Sequence, residues 1–188
     1  MSAMTVAERM SVPEFLALDD RPDVRWLQLI EGEVVVTEPN PLHNQAQLDI
    51  VFALESWCRS APGRGKVMLP LDIGIDERNV FKPDVLWYPQ RLSGEATRPF
   101  AMPGLAVEVR SPSTWRYDIG AKKSAYERNG LPELWLVDTE ADAVLVFRRS
   151  GPAVPTFDVA LELDREQELT SPLLAGFTLS VAELFPQN

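Results

Sequence analysis

The chain has 188 residues, 45% of them apolar and five of them tryptophan, enough for the core of one domain spanning residues 1–188. Its net charge of −10 argues against tight nonspecific binding of nucleic acid, which draws its affinity from Lys and Arg neutralising phosphates. The single histidine, His43, and single cysteine, Cys58, exclude a zinc site of several histidines and any internal disulfide, while ligation by hard oxygens remains open.

Ser11 and Glu14 have capping-box spacing and Pro13 sits early, which predicts a short helix from Ser11 to about Leu18. Val24 to Ile30 and Glu33 to Glu38 flank Glu31-Gly32, a two-residue junction suited to a tight hairpin of antiparallel strands. After Pro39-Asn40-Pro41, residues Leu48, Val51, Phe52, Leu54 and Cys58 recur at three-to-four spacing, predicting a helix from about Leu42 to Ser60. Val67 to Ile75 and Val80 to Tyr88 read as two more strands, followed by a loop from Arg91 to Pro103. Leu105 to Arg110 reads as a short buried strand, and Thr114 to about Asn129 as a helix ended by Gly130. Glu133 to Asp138 and Ala143 to Arg149 form a further hairpin, Thr156 to Leu163 another strand, and Ser180 to Phe185 a short helix. This order implies a mixed α/β domain with a central sheet flanked by helices.

No window reaches the roughly 18 apolar residues of a membrane span, and the first ten residues lack a basic segment followed by an apolar one. A cytoplasmic protein with no membrane partner is expected, with Cys58 reduced and serving packing.

Two acids stand out because they fall in strand-forming apolar runs: Asp84 in Lys82-Pro83-Asp84-Val85-Leu86 and Glu108 in Leu105-Ala106-Val107-Glu108-Val109-Arg110. A buried ionised carboxylate needs a cationic partner, several hydrogen bonds or a metal. Residues two apart in a strand share a face, so Asp84 points with Lys82, and Glu108 with Arg110. Two readings follow. The acids share a divalent ion, magnesium or manganese, or they form internal salt bridges, Asp84 with Lys82 and Glu108 with Arg110 or Lys122.

At these residues the chain resembles the PD-(D/E)XK nuclease superfamily, and within it the small putative restriction-endonuclease-like proteins. The resemblance runs through Leu29-Ile30-Glu31-Gly32-Glu33, His43, Pro83-Asp84-Val85, Val107-Glu108-Val109, Ser111-Pro112-Ser113-Thr114, Asp118 with Lys122 and Tyr126, and Leu134-Trp135-Leu136-Val137-Asp138. Pro-Asp alone is nonspecific, as Pro22-Asp23 illustrates. The resemblance implies a restriction-endonuclease-like sheet flanked by helices, a metal-dependent endonuclease acting on DNA, Asp84 and Glu108 as metal ligands, and a catalytic lysine. It also implies a homodimer, by analogy with nucleases that cut both strands.

Two positions depart from the family pattern. Arg110 occupies the place of the signature lysine and cannot act as a base, because guanidinium stays protonated. Relatives supply the lysine from the next helix, which points to Lys122. The first-strand acid falls on Gln28, a neutral oxygen donor. On a regular helix Ile119, Lys122, Ala125 and Tyr126 share an arc, so Lys122 either reaches the carboxylates or snorkels past its neighbours. His43 is expected to cap or pack at a helix start, or to orient a phosphate or water. Trp26, Trp57, Trp87 and Trp135 are expected in the core. The basic residues Arg110, Arg116, Lys122, Lys123 and Arg128 form the expected contact for nucleic acid. The acidic balance and Gln28 favour the alternative of a noncatalytic nuclease-fold protein that binds a protein partner or nucleic acid.

Overall fold

The computed structural model describes residues 9–18, 26–94 and 97–186. Pro22-Asp23 and the start of the first expected strand, Val24 and Arg25, lie outside them. The helix α1 spans Val12–Leu16, closed at its start by the reciprocal Ser11–Glu14 cap.

The expected N-terminal hairpin forms from β1 (Leu27–Ile30) and β2 (Glu33–Val36). Its two turn residues both take positive φ, 52° at Glu31 and 78° at Gly32, the geometry whose twist matches a two-residue hairpin. Gly32 has a second reason to be glycine, since a Cβ there would lie 2.7 Å from that of Arg9.

Helix α2 spans Pro41–Ser60, with Asn40 accepting from the His43 backbone N–H at 2.9 Å. The next two expected strands each divide. The first becomes β3 (Lys66–Met68) and β4 (Ile73–Asp76), the second β5 (Asn79–Phe81) and β6 (Val85–Tyr88). The breaks carry Pro70 and Pro83, which cannot donate to a ladder. At each break the chain changes sheets, because β4 and β5 belong to a four-stranded sheet of order β2-β1-β5-β4. Strands β3 and β6 belong to a six-stranded one of order β10-β9-β8-β7-β6-β3. The rest of the large sheet is β7 (Leu105–Val109), β8 (Glu133–Asp138), β9 (Ala143–Arg148) and β10 (Val159–Leu163). Two short strands, β11 (Glu168–Leu169) and β12 (Leu179–Ser180), pair separately, and the expected C-terminal helix is a 3₁₀ turn over Val181–Leu184.

Every residue of β7 is buried, as suits a strand covered on both faces. It runs parallel to β8 with Glu108 opposite Leu136, so the segment between them must cross over the sheet. That crossover is expected to be one regular helix. Instead it is three pieces: α3 (Trp115–Tyr117), a π-turn (Asp118–Lys122) and α4 (Lys123–Arg128), ended as expected by Gly130 at φ 85°.

On one face of the large sheet Val85, Val107, Val109, Trp135 and Val137 pack against Ala46, Ile50 and Leu54 of α2. On the other, Leu86, Ala106, Leu134 and Leu136 join Ala125 and Tyr126 of the crossover and Ile30, Val35 and Phe81 of the small sheet. Phe81 and Tyr126 meet edge to face at 5.1 Å, and the crossover is held between the two sheets. Each fully buried aliphatic or Phe side chain here contributes about 1.5–3 kcal/mol. The mixed α/β architecture with its N-terminal hairpin is restriction-endonuclease-like.

Candidate active site

The β6–β7 ladder pairs Val85 with Val107; carried one residue further, it sets Asp84 opposite Glu108. Asp84 sits at the bend just before β6 rather than inside a strand. Glu108 alternates with Ala106 onto the face that receives the crossover, while Asp84, at the bend, reaches the Val109 N–H and His43 at the start of α2. Directly opposed residues of antiparallel strands have Cβ atoms about 4.5–5.5 Å apart, close enough to share an ion.

Asp84 is held on both oxygens. Oδ2 accepts the Val109 backbone N–H at 2.7 Å, and Oδ1 lies 3.2 Å from His43 Nε2. His43 is therefore more than a packing residue at the start of α2: its ring, only 2% exposed, orients Asp84. Burial lowers the His43 pKa, but its hydrogen bond to Asp84 and the charge of that carboxylate outweigh the loss, so the net direction is upward.

Glu108 uses one oxygen for two donors. Oε1 lies 2.7 Å from the Lys122 ammonium and accepts the Tyr126 hydroxyl at 2.6 Å. Among the described residues no protein donor engages Oε2. Lys122 is fully buried, and its ammonium is also 2.9 Å from Asp118 Oδ1 and 5.6 Å from the centre of the Phe81 ring. Lys122 thus reaches the sheet acids rather than snorkelling past them. Ile119, expected to share its inward arc, is 47% exposed. The reason is the π-turn, whose extra residue shifts the register of a regular helix.

Asp118 is the member of the cluster that the sequence reading did not single out as a site residue. It is 1% exposed and accepts from Thr114 Oγ1 at 3.0 Å. An acid four residues before an inward lysine was the available signal.

Two carboxylates, Glu108 and Asp118, thus flank one lysine in a buried space, with Asp84 set opposite Glu108. Burial raises Glu108 well above the ordinary carboxylate range despite the neighbouring ammonium, and raises Asp118 likewise. Lys122 is itself raised, because two carboxylates outweigh the cost of burying its charge. Burial is the main cause for the two acids and the neighbouring carboxylates are the cause for Lys122; a proton or a cation at the acids would relieve the cost of their buried charge.

Several expected partners lie elsewhere. Arg110 does not pair with Glu108: it donates to both oxygens of Asp138 at 2.9 Å, reaches Glu140 at 2.5 Å, and stacks over Trp115 at 5.2 Å. Lys82 pairs with Asp72 at 3.2 Å. Gln28 Oε1 accepts the Lys82 N–H at 2.9 Å while its Nε2 donates to Thr37 at 3.0 Å. It braces the loop that carries Asp84. The expected basic contact surface shrinks accordingly, with Lys122 buried and Arg110 spent, leaving Arg116 and Arg128 exposed and Lys123 over the Phe147 ring at 4.5 Å. Of the tryptophans expected in the core, Trp26 is 53% exposed.

A family model for Uma2, described as putative restriction endonuclease, matches residues 12–182. The chain belongs to the Uma2 family. Among solved structures, a crystal structure described as a putative nuclease belonging to DUF820 from Anabaena variabilis superposes with a TM-score of 0.74 at 20% identity, covering 93% of this chain and 97% of that one. That likeness establishes the fold. No curated protein matches the chain. In this Uma2 chain Lys122 meets Glu108 and Asp84 lies one ladder step from it, whereas Arg110 pairs with Asp138 and Gln28 with the loop at Lys82.

No helix among the described residues is long and apolar enough to cross a membrane.

Proposed function

We propose that this Uma2 protein is a metal-dependent endonuclease that hydrolyses DNA phosphodiester bonds at the Asp84–Glu108–Lys122 cluster. The observation that carries the reading is the fully buried Lys122 ammonium, 2.7 Å from a carboxylate that opposes a second acid across the ladder. Taking a lysine out of water between two buried acids, Glu108 and Asp118, is costly, and a role at the site accounts for that cost.

The residues present fit magnesium or manganese. The donors are hard oxygens, and among the described residues no protein donor engages Glu108 Oε2. Asp84 and Glu108 would hold the ion, with water completing its shell, since magnesium is commonly bound through only one or two carboxylates. Such an ion lowers the pKa of a bound water and offsets phosphate charge. His43 and the Val109 N–H fix the Asp84 carboxylate, Tyr126 fixes Glu108, and Lys122 offers positive charge to a phosphate entering beside them. A homodimer would bring two such centres to the two strands of a duplex.

The test is nicking and linearisation of supercoiled plasmid with magnesium or manganese, by the intact protein and by Asp84→Asn and Glu108→Gln variants. Metal-dependent cutting lost in both variants supports the reading. Cutting that survives in both assigns the activity elsewhere. A second reading, a noncatalytic nuclease-fold module that binds protein or nucleic acid, draws on the net charge of −10 and on Arg110 being spent on Asp138 and Glu140. Calorimetric titration showing no magnesium binding would favour it.

A further inference from the structure

We infer that Asp118 is a positioning residue of this centre, fixing the Lys122 ammonium against Glu108 from the opposite side. The inference rests on the reading of the cluster as a phosphodiester-cleaving site, and it adds a residue whose task is carried out through Lys122.

A lysine side chain turns about four bonds, and a single contact to Glu108 would leave its ammonium free to swing. Here it has two anchors, Glu108 Oε1 at 2.7 Å and Asp118 Oδ1 at 2.9 Å. The second anchor is itself anchored, because Asp118 Oδ2 accepts from Thr114 Oγ1 at 3.0 Å, and Thr114 Oγ1 lies 2.8 Å from Ser111 Oγ, just past the end of β7. Ammonium, carboxylate, hydroxyl and strand end form one relay that refers Lys122 to the same strand that carries Glu108. The π-turn belongs to this device: Asp118 and Lys122 are its two buried residues, while Ile119 between them faces outward.

Asp118 is 1% exposed, and Lys122 is the one cation among the described residues that it meets, so its carboxylate is taken out of water for that single contact. A carboxylate in this position makes sense as a clamp on the ammonium, since misplacing a catalytic group by about 1 Å costs on the order of a hundredfold in rate.

A double-mutant cycle with Asp118→Asn and Lys122→Met, read by plasmid cleavage and by thermal unfolding, tests the inference. Asp118→Asn should lower kcat by about tenfold to a hundredfold while leaving KM and calorimetric magnesium affinity unchanged, and it should cost nothing further when Lys122 is already Met. In unfolding, Asp118→Asn should lower the midpoint of the intact protein but raise that of Lys122→Met, where it removes a carboxylate that has lost its partner. Full kcat in Asp118→Asn, losses that multiply across the cycle, or midpoint changes of the same sign in both backgrounds would overturn it. If the intact protein cuts no DNA with either metal, the nuclease reading has failed, and the unfolding cycle still decides whether Asp118 holds Lys122.

Discussion

Arg110 and Asp138 face each other at 2.9 Å through both carboxylate oxygens, so the arginine at the signature-lysine place ties β7 to the β8–β9 hairpin instead of serving Glu108. Asp138 also accepts the backbone N–H groups of Glu140 and Ala141, which makes the pair a brace for that turn. Arg110→Ala should therefore cost about 1–2 kcal/mol of stability, a charge-assisted pair discounted for its partial exposure. Magnesium affinity should be unchanged. Chemical denaturation and calorimetry on the same variant check both, and a lost magnesium site would return Arg110 to the active centre.

Lys122→Ala should reduce turnover by at least about a hundredfold, the scale of losing a placed electrostatic or acid–base group. It should also destabilise the fold by about 3–5 kcal/mol, because it strands buried carboxylates without their partner. Lys123→Ala, which removes only a half-buried ammonium over the Phe147 ring, should be mild in both respects. Steady-state cleavage and urea denaturation of the two variants decide between neighbours, and a dominant effect at Lys123 would reverse the assignment.

Asp84→Asn and Glu108→Gln should keep the fold and lose metal-dependent cleavage. Each amide oxygen can still accept from the groups that now donate to the carboxylate, the Val109 N–H for Asp84, and Tyr126 and Lys122 for Glu108. What disappears is the charge that would hold the ion. Unchanged circular dichroism with abolished magnesium heat is the expected pair of results, and retained heat in both variants would place the ion elsewhere.

Glu108 has its carboxyl pushed up by burial to about 8 from an ordinary 4.5. A carboxyl raised by folding holds its proton more tightly in the native state, so its stabilising contribution is complete below about 4.5 and is lost as pH rises through the folded value. His43, raised from 6.5, acts in the same sense, losing its contribution as pH climbs through its own folded value. The metal-free protein should lose unfolding midpoint between about pH 5 and pH 8. Magnesium favours the ionised cluster, so the midpoint gain on adding it should grow over the same interval and should be small in Glu108→Gln. Thermal scans across that range with and without magnesium measure this. A gain of equal size at every pH would mean that the ion does not engage Glu108.

Features decided by neighbours in the chain were legible in the sequence alone. Turn chemistry announces the Glu31-Gly32 hairpin and Gly130 the end of α4; three-to-four spacing announces α2 as a helix, but its buried face runs through Ala46, Ile50, Leu54 and Cys58, leaving Leu48 and Phe52 of the expected stripe 61% and 74% exposed. The two acids and Lys122 stood out for the same local reason, charged groups in apolar settings, and the family resemblance named their roles. Tertiary structure decided the rest. Pro70 and Pro83 mark breaks, but nothing local says that each break passes the chain to a different sheet. Gln28 meets Lys82 across 54 residues, Asp84 meets His43 across 41, and Arg110 meets Asp138 across 28, so their partners are set by how layers stack rather than by strand parity. The π-turn belongs to the same class, since a regular helix has the better local hydrogen bonds and only the buried contacts of Asp118 and Lys122 favour the extra residue.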